Sequence, residues 1–156
     1  MLAKALTTLL KPSRVVHAHC DLPCGVYDPA QARIEAESVK AIQEKYQAGG
    51  DEEFKKRAIQ IKEERADLVK HHLWVLWTDY FKPEHVEKYP ELHELFWKAT
   101  KAAGDSKRSV DPAQGQEVLD LIKEIDRIFW ETKGQVSVPG PGPGGQVVEP
   151  ESQRSA

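Results

Sequence analysis

Apolar residues recur at spacings of three and four along most of this chain, and breaks in that rhythm divide it into four stretches. Asp28-Pro29 reads as an N-cap followed by proline at the first helical position. The stripe Ala32, Glu35, Val39, Ile42, Tyr46 then predicts an amphipathic helix ending at Gly49-Gly50. Asp51 caps a second helix, with Glu52 and Glu53 in its first turn, where acids suit the helix dipole. Its stripe runs Phe54, Ala58, Ile61, Arg65, Leu68, His72, Val75; an apolar and aromatic burst carries on to Tyr80-Phe81, and Pro83 breaks the run. Pro90 opens a third helix carrying Leu92, Leu95, Phe96 and Ala99, with a stop near Gly104. Asp111-Pro112 opens a fourth, with Val118, Leu121, Ile122, Ile125, Ile128 and Phe129, ending at Gly134. Four helices with short connections predict an all-α fold, an antiparallel four-helix bundle.

Two charges interrupt these stripes. Glu35 and Arg65 stand where the periodicity wants apolar side chains, and a lone buried charge costs several kcal/mol, so each needs a partner. Counted from the Gly49-Gly50 turn, Glu35 lies 14 residues back and Arg65 15 residues forward. At a rise of about 1.5 Å per residue the depths match, so the two are expected to meet as a buried pair. The competing reading sets the register one residue off, with both charges in solvent.

The ends differ from the middle. Residues 1–18 carry Lys4, Lys11 and Arg14 and no acid, and Val16-His17-Ala18 resembles a cleavage site. Their apolar stretch is broken by threonines and stopped at Lys11-Pro12, short of the roughly 7–15 apolar residues of an export signal. A pro-segment removed by a maturation peptidase in the cytoplasm is therefore expected, with export the alternative. Residues 135–156 are rich in proline and glycine and predict a disordered tail. This leaves residues 19–134 as the folded domain. The net charge of −3 with interspersed signs argues against a nucleic-acid surface. No run approaches the ~18 apolar residues of a membrane span.

The candidate chemistry lies just before the first helix, in His19-Cys20-Asp21-Leu22-Pro23-Cys24-Gly25-Val26-Tyr27. Both cysteines of the protein fall here, too close together for more than a tiny disulfide loop. Two thiolates are soft donors suited to copper, zinc, nickel or an iron–sulfur cluster. Structural zinc wants four protein ligands, and with His19 the set is one short. Cleavage after Ala18 would fill the gap by making His19 the N-terminus. Its amine, the Cys20 amide nitrogen and two thiolates can form a plane, a geometry that nickel(II) and copper(II) prefer. Pro23 and Gly25 supply a bend bringing Cys24 back toward Cys20. The nine residues form a metal-binding hook.

The segment HCDLPCGVYDPAQARIEAESVK resembles the mature N-terminus of the nickel superoxide dismutase family, and the likeness extends through KHH, DYFKP, EKYPELH and DRIFWETK over residues 19–133. The pattern His-Cys-x-x-Pro-Cys-Gly-x-Tyr is specific to that family and is complete here. The resemblance implies one nickel ion per subunit, held by the amine and imidazole of His19, the amide nitrogen and thiolate of Cys20, and the thiolate of Cys24. It implies that the imidazole is an axial ligand of the oxidised metal and leaves on reduction. Glu35 and Arg65 match residues that orient that imidazole, Tyr27 the tyrosine guarding the substrate pocket, and Asp21 and Pro23 positions that shape the hook. Tyr80 falls in a matched segment as a residue ordering the hook. A homohexamer of four-helix bundles is implied, as is a Ni(II)/Ni(III) cycle turning two superoxide ions and two protons into dioxygen and hydrogen peroxide. The acidic chain does not draw in an anion, so steering must be local, with Lys82 a candidate. Rival readings are a nickel or copper carrier using the hook without turnover, and a helical interaction protein using Trp74, Trp77 and Trp97.

Overall fold

The structure, a computed structural model, describes residues 25–138 and 147–150. Among the described residues five α-helices follow in order: α1 (Ala30–Ala48), α2 (Glu52–Val75), α3 (Pro83–Lys88), α4 (Leu92–Arg108) and α5 (Pro112–Thr132). A π-helical turn, Leu76–Tyr80, continues α2. The four long helices form the antiparallel bundle that the pattern predicts, with α1 packed on α2 and α5, and α4 on α2 and α5.

The starts are set by aspartates. Asp51 Oδ1 accepts from the Phe54 amide at 2.7 Å, and Asp111 Oδ1 from the Ala113 amide at 3.0 Å. At α1, Asp28 Oδ1 accepts from Ala30 N at 2.8 Å, and Pro29 is buried beneath the turn. Each bond satisfies an amide that the first helical turn leaves without a partner.

Three boundaries differ from the sequence pattern. Gly104 does not stop α4, which runs on to Arg108. Pro83 does not merely break the second helix but opens the short α3, with Lys82 N–H donating to His85 Nδ1 at 3.2 Å. The tail predicted as disordered contains an antiparallel pair, β1 (Gln135–Val138) and β2 (Val147–Pro150), with Gln135 opposite Pro150 and Val138 opposite Val147. Valines at 136, 138, 147 and 148 supply the β-branched residues that favour such a pair.

The larger correction concerns register. The buried line on α1 is Ala32, Ala36, Val39, Gln43, and on α2 it is Ala58, Lys62, Ala66, Val69, Leu73. On α2 the line runs one position later than the apolar stripe from Lys62 onward, while on α1 Ala32 and Val39 lie on the stripe and Ala36 and Gln43 fall one position after it. Ile61 is 38% exposed, while Lys62 beside it is 2% exposed. Polarity misleads here because Lys62 and Gln43 serve the open end of α4. Lys62 Nζ donates to the carbonyls of Ser106, at 3.0 Å, and Lys107; Gln43 Nε2 donates to Ser106 O at 3.4 Å and Ser109 O at 3.2 Å. These carbonyls have no partner within the helix, and the Lys62 ammonium and the Gln43 amide nitrogen supply one.

The core is therefore graded. Near the start of α1, Leu73, Leu76, Phe81, Leu92, Phe96, Ile128 and Phe129 form a dense apolar layer. At the opposite end, alanines, Gln43, Lys62 and Ser106 take over. Tyr27 packs against the bundle at the apolar, aromatic end.

Candidate metal centre and its supports

His19, Cys20, Asp21, Pro23 and Cys24 lie outside the described residues. Description begins at Gly25, whose φ of 72° is left-handed and accommodates glycine without strain. Val26 is 78% exposed, and Tyr27 then turns in against the core. Among the described residues, no group of three or more His, Cys, Asp or Glu side chains is placed to hold a metal ion.

Tyr27 rests on Tyr80, ring centroids 5.8 Å apart at 56°. Tyr80 is the better anchored of the two. Its ring lies 4.4 Å from Phe129, 5.1 Å from Phe81 and 5.6 Å from a nearly parallel His85. Aromatic pairs of this kind contribute about 0.5–1.5 kcal/mol each beyond burial. The Tyr80 hydroxyl lies 2.6 Å from Thr132 Oγ1, which itself donates to Phe129 O at 2.6 Å. With the threonine proton so engaged, Tyr80 is the donor. Burial pushes the Tyr80 phenol above the ordinary tyrosine value, and Thr132 opposes this in part, because its hydroxyl can turn to donate to the phenolate.

The π turn helps place this ring. Phe81 N–H reaches back to Leu76 O at 3.1 Å, a five-residue step that widens the helix end and delivers Tyr80 and Phe81 together into the aromatic layer. Sequence periodicity had no way to register the extra residue. Thr132, His85 and Phe129 were likewise not singled out as supports, although the last lies on the predicted apolar stripe.

Glu35 and Arg65 meet across the α1–α2 interface. Arg65 Nη1 lies 3.2 Å from Glu35 Oε2 and 3.4 Å from Oε1. They are not buried as the stripe implied: the side chains are 16% exposed for Glu35 and 38% for Arg65. Each stands beside a fully buried alanine, Ala36 and Ala66. These small residues let the helices approach, and the two long side chains close over the flank of the seam. The depth argument thus held although the register argument did not.

The comparisons with known proteins agree with one another. The sequence profile of the nickel-containing superoxide dismutase family matches residues 14–133. The superoxide dismutase [Ni] of Streptomyces seoulensis is 66% identical over 128 residues, covering 82% of this chain and 98% of that protein. The Streptomyces coelicolor protein of the same name is 63% identical over 128 residues, with the same coverage. Among solved structures, a native nickel superoxide dismutase superposes with a TM-score of 0.72 at 66% identity, covering 74% of this chain and 98% of that one. A nickel-containing superoxide dismutase with metal ligation of the oxidised state gives a TM-score of 0.72 at 69% identity, with the same coverage. A match over most of the chain, at this identity, leaves one conclusion: the chain belongs to the nickel-containing superoxide dismutases.

Proposed function

We propose that the hook His19–Tyr27 is the reaction centre of this nickel-dependent superoxide dismutase, with His19, Cys20 and Cys24 as the metal ligands. The observation that carries this is the complete hook sequence inside the matched span 14–133. The donor set fits the metal: thiolates and an anionic amide nitrogen stabilise a trivalent state that oxygen ligands would not. When bound, nickel supplies one-electron steps between its divalent and trivalent states, by which two superoxide ions and two protons become dioxygen and hydrogen peroxide.

The rest of the site belongs to the chain's own side chains. Tyr27, held against Tyr80, narrows the approach to the hook and admits a small anion. Glu35, fixed by Arg65, would orient the His19 imidazole for the metal. Asp21 and Pro23 shape the hook. Cleavage after Ala18 by a maturation peptidase frees the amine. Thiols awaiting metal are best kept reduced, which supports a cytoplasmic site of maturation and action. Exposed Ile34, Phe54, Ile59, Ile61, Trp74 and Trp97 support assembly into a homohexamer, which would cover apolar surface of this kind.

The test is an intact mass with metal analysis of the active protein, beside Cys24→Ser. The expected result is a chain beginning at His19 with one nickel per subunit, and no dismutase activity in the variant. Full activity in a chain beginning at Met1 would refute the amine ligand, and an active Cys24→Ser would refute the hook as the site.

A further inference from the structure

The net charge of −3 gives the protein no general attraction for superoxide, so approach depends on a local cation. Lys82, the cation suggested by sequence, lies exposed ahead of α3, where its backbone N–H is bonded to His85. The cation on the aromatic cluster is a different one. Lys133, the residue just past α5, sets its Nζ 4.5 Å from the Phe129 ring centroid, 5.4 Å from Trp130 and 5.5 Å from Tyr80. Tyr80 is the ring on which Tyr27 rests, 5.8 Å away. The ammonium is therefore no farther from the Tyr27 ring than those two steps laid end to end, close to one Debye length (about 8–10 Å) in ordinary buffer.

Its setting suits a cation that acts on a mobile anion. Lys133 is exposed, and among the described residues no carboxylate is within ion-pairing distance of it. Neighbouring Glu131 is already bonded to Arg127 at 2.8 Å. Three ring faces hold the ammonium in place without neutralising it, as a carboxylate would. We propose that Lys133 is the steering cation of this dismutase, drawing superoxide to the Tyr27–Tyr80 entrance from the C-terminal end of α5.

The proposal rests on Tyr27 being the gate, and it competes with a purely structural role, in which a lysine after a helix offsets the dipole of its last turn. The two roles move different quantities. Steering acts on kcat/KM, depends on salt and needs only charge; a structural role acts on stability whatever the salt. The experiment uses the mature, nickel-loaded protein and measures kcat and kcat/KM for superoxide over a range of ionic strength for Lys133→Met, Lys133→Glu and Lys133→Arg, with nickel content and Tm measured alongside. Lys133→Met should lower kcat/KM about two- to threefold at low salt and Lys133→Glu further, with kcat retained. Lys133→Arg should behave as wild type, and all four proteins should converge near 1 M salt, where the Debye length is about 3 Å. Alkaline titration of the tyrosine absorbance supplies a reading independent of turnover: Lys133→Met should raise the Tyr80 pKa further by removing a nearby cation. A wild-type salt profile in Lys133→Met overturns the proposal, as does a loss that persists at high salt or in Lys133→Arg. Tyr27→Phe separates the two readings. If it changes no kinetic constant the gate fails; if it acts while Lys133→Met does not, only the steering fails.

Discussion

Gly115 sits in the first turns of α5, and helix propensity alone says that alanine would be better there by about 1 kcal/mol. The structure says the reverse. A Cβ at Gly115 would stand 2.5 Å from Gln43 Oε1 and 2.8 Å from both Cα and Cβ of Lys40, where carbon atoms normally rest about 3.5–4.0 Å apart. Backbone is among the obstructing atoms, so α1 itself must move. Forcing helices apart in this way costs about 1–3 kcal/mol. Pushing Gln43 aside also weakens its bonds to Ser106 O and Ser109 O, about 1 kcal/mol each. The balance is a net loss of about 1–4 kcal/mol for Gly115→Ala, or a fall in Tm of roughly 3–10 °C for a chain of this size. Gly104, inside α4, is the control. A Cβ there meets only the Lys70 side-chain end, Nζ at 3.1 Å, which can swing away. Gly104→Ala should therefore gain up to about 1 kcal/mol. Both variants should be followed by urea unfolding and calorimetry at one protomer concentration, because assembly adds to apparent stability. A Gly115→Ala protein as stable as wild type, beside a stabilised Gly104→Ala, would refute the close approach of α1 and α5.

Two further perturbations address the charges. Arg65→Met should change stability by less than about 1 kcal/mol, since the pair is partly exposed, while turnover falls several-fold as Glu35 loses its anchor. Unchanged turnover in correctly metallated Arg65→Met would remove the pair from the site. Burial lowers the pKa of Lys62 from the ordinary lysine value, the positive Lys107 adding to this and Glu63 opposing it. Between the lowered folded value and about 10.4 the unfolded chain binds the extra proton, so this residue's contribution to stability should rise with pH. Urea midpoints of wild type and Lys62→Met should draw apart in favour of wild type as pH climbs through that window; a constant gap would mean that Lys62 keeps its ordinary affinity for the proton.

The bundle was legible because helix starts and apolar spacing are local properties. Asp51 and Asp111 cap where the pattern placed them, and of the α5 stripe Val118, Ile122, Ile125, Ile128 and Phe129 are buried as read, with Leu121 half-buried at its edge. The registers of α1 and α2 were not legible, for a physical reason. The residues at their closest approach are alanines, which carry little hydrophobic signal, and the polar residues among them, Gln43 and Lys62, are buried to serve carbonyls some sixty and forty-four positions away, from Gln43 to Ser106 and from Lys62 to Ser106. Isoleucines at 34, 59 and 61 meanwhile advertise a core they do not enter. At the site, the hook's donors are visible in sequence because adjacent residues carry them. The platform beneath Tyr27 is assembled from α2's end, α3 and α5, and only folding brings Tyr80, His85 and Thr132 together.

The graded core gives the two ends of the bundle different lifetimes. Local opening follows the amount of apolar contact that must be broken. The end built from Gln43, Lys62, Ser106 and alanines should exchange its amides first, while the end packed with Leu73, Phe81, Phe96 and Phe129 waits for global unfolding. Tyr27 and Tyr80 stand on that slower end. Thermal breathing would thus be confined to the half of the bundle farthest from Tyr27, leaving the aromatic platform beneath that ring in place between excursions.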